Sequence, residues 1–122
     1  MNELLELADE CLNEAKALFG LHFMKGAINR CYYAYFDGVR ALLEEHEFSS
    51  KTHSGSHNKF YELYIKTELI PKRYHQILVE LFNKRSQVDY DGFGDIEEES
   101  VREYIEITQE FIEYIKTNFN SK

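Results

Sequence analysis

The sequence predicts an all-α fold, an up-and-down helical bundle of four principal helices plus a short helix. Three observations carry this. Apolar residues recur every three or four positions through most of the 122 residues. No segment alternates polar and apolar residues long enough to make a strand. The links between periodic stretches are short, which favours neighbouring helices packed side by side. A chain of this length forms one domain, residues 1–122, and buries about two-thirds of the surface its unfolded chain exposes.

The first helix runs from about residue 2 to 19, with Leu4, Ala8, Cys11, Ala15 and Leu18 on one face, and stops at Gly20. A second, rich in tyrosine, runs from about Phe23 to Glu45 and buries Ala27, Ile28, Cys31, Tyr32, Tyr35, Val39, Leu42 and Leu43. Residues His46 to Ser56 read as a connector, because Ser49, Ser50, Ser54, Gly55 and Ser56 favour turns and caps. A short third helix follows from about His57 to Thr67, displaying Phe60, Leu63 and Tyr64. Pro71 suits the first turn of a fourth helix, about 71 to 88, where its missing N–H costs nothing. After the turn cluster from Tyr90 to Asp95, Asp95 is expected to cap the last helix with Glu98 three residues on. Val101, Tyr104, Ile105, Thr108, Phe111, Ile112, Ile115 and Phe119 trace its core face, and Glu103, Glu106, Glu110 and Glu113 lie off it.

Cys11 and Cys31 sit on apolar stripes, where free cysteine behaves as a small hydrophobe. They read as reduced, structural residues of a cytoplasmic protein. No signal peptide is evident, and no apolar run approaches the ~20 residues of a membrane span. The net charge of −8 argues against a broad nucleic-acid-coating surface. Its distribution is uneven. Residues 51 to 90 hold seven Lys/Arg against four Asp/Glu, whereas the segments on either side each hold nine acids against four or three bases. This basic island suits contact with a phosphate at one place, or an acidic partner.

The fourth helix carries the most informative residues. Its stripe of Tyr74, Ile77, Leu78, Leu81 and Phe82 continues onto Arg85 and then Val88. A guanidinium on such a stripe must find a carboxylate, a phosphate or water. Asp89 lies one turn on, followed by Tyr90, so cation, anion and phenol are offered together. The structural alternative is a simple Arg–Asp pair at a helix end. Elsewhere Arg30 and Tyr33 flank the apolar face of the second helix, with Asp37 one turn after Tyr33, and Thr52, His53, Ser54 and Gly55 make a compact polar turn. His53 and His57 have ligand spacing, but the helix is expected to start between them and no third ligand pattern accompanies them. No metal is expected. Without a nucleophile elbow, a phosphate-cradling glycine loop or a dinucleotide fingerprint, no cofactor is expected either.

Four blocks, taken together, carry a resemblance: Arg30-Cys31-Tyr32-Tyr33-Ala34-Tyr35-Phe36, Val39-Arg40-Ala41-Leu42-Leu43, Lys51-Thr52-His53-Ser54-Gly55, and Leu81-Phe82-Asn83-Lys84-Arg85 with Val88-Asp89-Tyr90. In content, order and spacing the chain resembles small prokaryotic HEPN domains, over about residues 5 to 118. The resemblance implies a helical bundle that usually dimerises, is often paired with a minimal nucleotidyltransferase in a toxin–antitoxin-like module, and in many members is a metal-independent ribonuclease. That ribonuclease motif is Arg, four to six residues, then His. Arg85 aligns with its arginine, but Tyr90, Asp91 and Gly92 stand where a histidine would close it. Some nucleotidyltransferase partners modify a tyrosine two residues after that histidine, and Tyr90 occupies its neighbourhood.

The leading expectation is therefore a homodimer acting with a minimal nucleotidyltransferase and binding RNA or nucleotide phosphate at a shared cleft. The candidate catalytic residues are Arg85, Asp89, Tyr90 and His53, and the candidate binding residues are Arg30, Tyr33 and Thr52. Two alternatives stand beside it. One is a ribonuclease in which His53 replaces the missing base. The other is a non-enzymatic helical adaptor or nucleotide-binding module.

Overall fold

Helical periodicity becomes five α-helices in the computed structural model, which describes residues 1–91 and 96–120, at 90 and 91 the backbone alone. They are α1 (Asn2–Gly20), α2 (Met24–Glu44), α3 (His53–Phe60), α4 (Arg73–Asp91) and α5 (Glu98–Asn118), with a π-helical turn, Tyr61–Ile65, continuing α3. Among the described residues there is no strand, and no helix is long and apolar enough to cross a membrane. Neither cysteine forms a disulfide.

The second helix is the axis of the bundle, touching α1, α3, α4 and α5. All eight of its expected core residues are buried, and so are Ala34, Phe36, Asp37, Gly38 and Ala41. A helix buried on nearly every side needs small residues where neighbours come close. Gly38 is one: a Cβ there would lie 3.2 Å from Ile115 Cδ1 and 3.3 Å from Phe111 Cε2 on α5. Beside it Tyr35 stacks on Phe111 with ring centroids 4.2 Å apart, and its hydroxyl donates to the Tyr74 carbonyl of α4 at 2.7 Å. Aromatic stacking and one satisfied hydroxyl thus tie three helices at the core.

Several boundaries differ from expectation, each for a local reason. The buried face of α1 is Leu5, Ala8, Leu12 and Ala15, with Leu4, Cys11 and Leu18 at its edge, so the helix is rotated toward α2 by about one residue. Gly20 ends α1, but the left-handed residue is His22 (φ 65°), which lets Phe23 N–H reach the Leu18 carbonyl at 2.8 Å. The third helix begins at His53 rather than His57, because the Thr52 hydroxyl caps it by accepting from Gly55 N–H at 3.0 Å. The fourth begins at Arg73, two residues after Pro71. The fifth begins at Glu98 with Glu97 in the cap position and no side-chain cap bond. Asp95 lies outside the described residues.

Candidate functional site

Arg85 follows Leu81 and Phe82 along α4 and turns inward toward α2. Its side chain is only 16% exposed. The guanidinium carbon sits 5.2 Å from the Tyr32 ring centroid, 5.5 Å from Tyr33 and 5.4 Å from Phe82, a three-sided aromatic collar. Its Nη1 donates to Tyr33 Oη at 3.4 Å and to Asp89 Oδ2 at 3.3 Å. Both are long bonds for a charged donor. Arg85 Nε is buried and makes no hydrogen bond among the described residues. The expected Arg–Asp pair exists, yet it satisfies only one corner of a five-donor group.

The start of α3 is laid against the same rings. His53 Nδ1 is 2.6 Å from Tyr32 Oη, and its ring lies 4.6 Å from Phe36 and 5.6 Å from Phe82. His57, one turn on, brings Nε2 to 3.1 Å from that same hydroxyl. The two histidines share one helix, contrary to expectation, because the Thr52 cap starts α3 early. They converge on a phenol, and among the described residues no group of three or more His, Cys, Asp or Glu is arranged to hold a metal.

Burial decides the charge of these groups. Desolvation lowers His53 below the ordinary histidine value, and the Arg85 and Arg40 guanidiniums lower it further. Burial pushes His57 down to about 4, with His53 and His75 adding to the effect. Tyr32 is driven up by desolvation, which outweighs the pull of Arg85. At neutral pH the trio is a chain of uncharged groups beside a permanent cation. Buried Asp37 is raised by desolvation against the pull of Arg40, whose Nη1 lies 3.1 Å from its Oδ1.

The structure therefore brings Arg85, Asp89, His53 and Tyr33 together. Arg30 joins at the edge: its guanidinium lies 5.2 Å from the Tyr33 centroid while Nε and Nη2 donate to Asn29 Oδ1 and Nη1 approaches Glu14 Oε1 at 3.5 Å. Thr52 stands beside His53 in sequence, but its hydroxyl is engaged as the helix cap. The side chain of Tyr90 lies outside the described residues. Sequence reasoning missed Tyr32 as a polar residue of this site, filing it with the core, and weighed His57 only as a metal ligand. The available signal was a tyrosine on the inner face of a helix, where a buried hydroxyl needs a partner.

Comparison with known proteins places the chain in a family. A family model described as "HEPN domain" matches residues 1–118. A Thermotoga maritima protein named "UPF0332 protein" is 34% identical over 109 residues, 89% of this chain and 83% of that protein. Two Methanocaldococcus jannaschii proteins, named "Putative toxin MJ0142" and "Putative toxin MJ0605", are 32% and 33% identical over 86% and 80% of this chain and 71% and 72% of their own. The helical chain that carries the Arg85 collar belongs to the HEPN domain family.

Proposed function

We propose that this HEPN-domain protein works in a toxin–antitoxin-like module with a minimal nucleotidyltransferase partner, and that it binds RNA or nucleotide phosphate at a cleft between two copies of the chain. One observation carries the reading: a guanidinium held among three rings, with donors left over. Nη1 serves Tyr33 and Asp89, while Nη2 makes no hydrogen bond among the described residues on a side chain that keeps 16% of its surface exposed. A cation presented this way fits a phosphate oxygen. The names of the two Methanocaldococcus jannaschii relatives support the toxin context. A two-fold dimer with α4 at its interface brings two copies of Arg85 to one cleft.

Light scattering on a sizing column tests the cleft. A dimer at micromolar concentration is expected, and a monomer there overturns the shared site. The position of His53 beside the Arg85 collar favours a second reading, metal-independent cleavage of RNA through attack of a 2′-hydroxyl on phosphate, with Arg85 stabilising the developing charge. Incubation with RNA in chelator tests it. Equal cleavage by wild type and Arg85→Ala removes Arg85 from that role.

A further inference from the structure

Tyr32 has one hydroxyl proton and two imidazole neighbours, at 2.6 Å (His53 Nδ1) and 3.1 Å (His57 Nε2). Donating to one nitrogen and accepting an N–H from the other uses the hydroxyl proton, whereas accepting from both would leave that buried proton without an acceptor among the described residues. The lengths choose between the two arrangements, because O–H donors sit nearer their acceptors, at about 2.7–2.8 Å, than N–H donors, at about 2.9–3.0 Å. The short contact fits Tyr32 O–H donating to His53 Nδ1. The longer one then fits His57 Nε2–H donating to Tyr32. A neutral His57 has one N–H and spends it on this bond. A neutral His53 that accepts at Nδ1 carries its own proton on Nε2, and on this half-buried ring that atom makes no hydrogen bond among the described residues.

We propose that Tyr32 and His57 are positioning residues that fix His53 as its Nε2–H tautomer, so that His53 donates a hydrogen bond to an oxygen of the phosphate bound by Arg85. The inference rests on the phosphate-binding reading and gives it a second donor. It also assigns His53 a role opposite to that of a base, which needs a lone pair on the atom facing substrate. Moving that proton to Nδ1 makes the Tyr32 hydroxyl proton give up its acceptor, or the His57 tautomer reverse with it. The charged and titratable groups around the trio act in one direction on His53: Arg85 from α4 and Arg40 from α2 oppose an imidazolium, and among the described residues no carboxylate bonds to the ring.

The test uses the full chain labelled with ¹⁵N. Long-range ¹H–¹⁵N spectra near neutral pH identify which nitrogen of each imidazole is protonated, and inorganic phosphate is then titrated in. His53 is expected to carry its proton on Nε2 alone and to shift saturably with phosphate. His53→Gln, which keeps an amide donor but no base, is expected to bind phosphate within about three-fold of wild type, and His53→Ala to lose about ten-fold or more, the worth of one bond to a charged group. In Tyr32→Phe a Nδ1-protonated form of His53 is expected to appear. A proton on His53 Nδ1 in wild type, or His53→Gln as weak as His53→Ala, overturns the donor role while the phosphate response stands. An Nε2 proton with no phosphate response at any residue overturns the phosphate reading instead, and the donor role with it.

Discussion

Replacing Arg85 by Met separates a strut from a ligand-binding cation. Three rings around the guanidinium share one charge, and a desolvated cation–π contact is worth about 2 kcal/mol. The i,i+4 pair with Asp89, whose side chain is 43% exposed, adds about 0.3–0.5 kcal/mol. Against these stands the buried Nε without a partner, which costs about 1–3 kcal/mol. Methionine keeps the contact with Tyr32, Tyr33 and Phe82, regains about 0.3–1.5 kcal/mol as sulfur against aromatic rings, and removes the unsatisfied donor. These terms nearly cancel. Arg85→Met is expected to shift stability by no more than about 1 kcal/mol, or about 4 °C in Tm for a chain of this length. Thermal melts followed by circular dichroism at neutral pH measure it. A fall of about 8 °C or more would mean that the guanidinium holds the bundle together, and the reasoning from its unmet donor would be refuted.

Other substitutions test the scaffold around it. Burial sets His57 at about 4 against an ordinary 6.5, so the unfolded chain takes up the proton first; this contribution to stability is full above pH 6.5 and drains as pH falls toward 4. The lowered His53 and His75 act in the same direction and the raised Asp37 opposes them, so melts across this range should fall with acid, and His57→Gln should flatten the fall. A flat wild-type curve contradicts the assignment. Thr52→Ala removes the cap of α3 and is expected to cost about 1 kcal/mol by denaturant titration. Gly55→Ala sets a Cβ 2.3 Å from Ser50 Oγ and 2.8 Å from Thr52 Oγ1, so it should disrupt the same cap; a neutral effect of either would show that α3 does not depend on it. Phe111→Ala removes the ring stacked on Tyr35 and is expected to cost about 3–5 kcal/mol, and a loss below about 1 kcal/mol would show that the seam between α2 and α5 does not depend on it.

Much of this architecture was legible in the sequence because helical burial leaves a periodic trace. The core of α2 was named correctly from spacing alone, and so was the inward turn of Arg85, since a stripe passing through Leu81 and Phe82 must carry the next residue with it. The start of α3 was misplaced because Ser49, Ser50, Thr52, Ser54 and Gly55 serve turns and caps alike, and which hydroxyl meets which N–H is settled by backbone conformation. The π-helical turn left no trace, as its residues also read as ordinary helix. Least legible was the meeting of Tyr32 with His53 and His57. Tyr32 satisfies helical periodicity as a core residue, and only the packing of α3 across α2 and α4 shows that its hydroxyl has two partners there.

On the reading proposed above, the Arg85 guanidinium receives a phosphate of RNA or nucleotide. Fluorescence anisotropy of a labelled single-stranded RNA at low salt and in chelator tests it most directly, with wild type and Arg85→Met compared at matched fold stability. Wild type is expected to bind saturably and Arg85→Met to lose about ten-fold or more, the worth of one charged hydrogen bond. Equal affinity of the two proteins for RNA would contradict it.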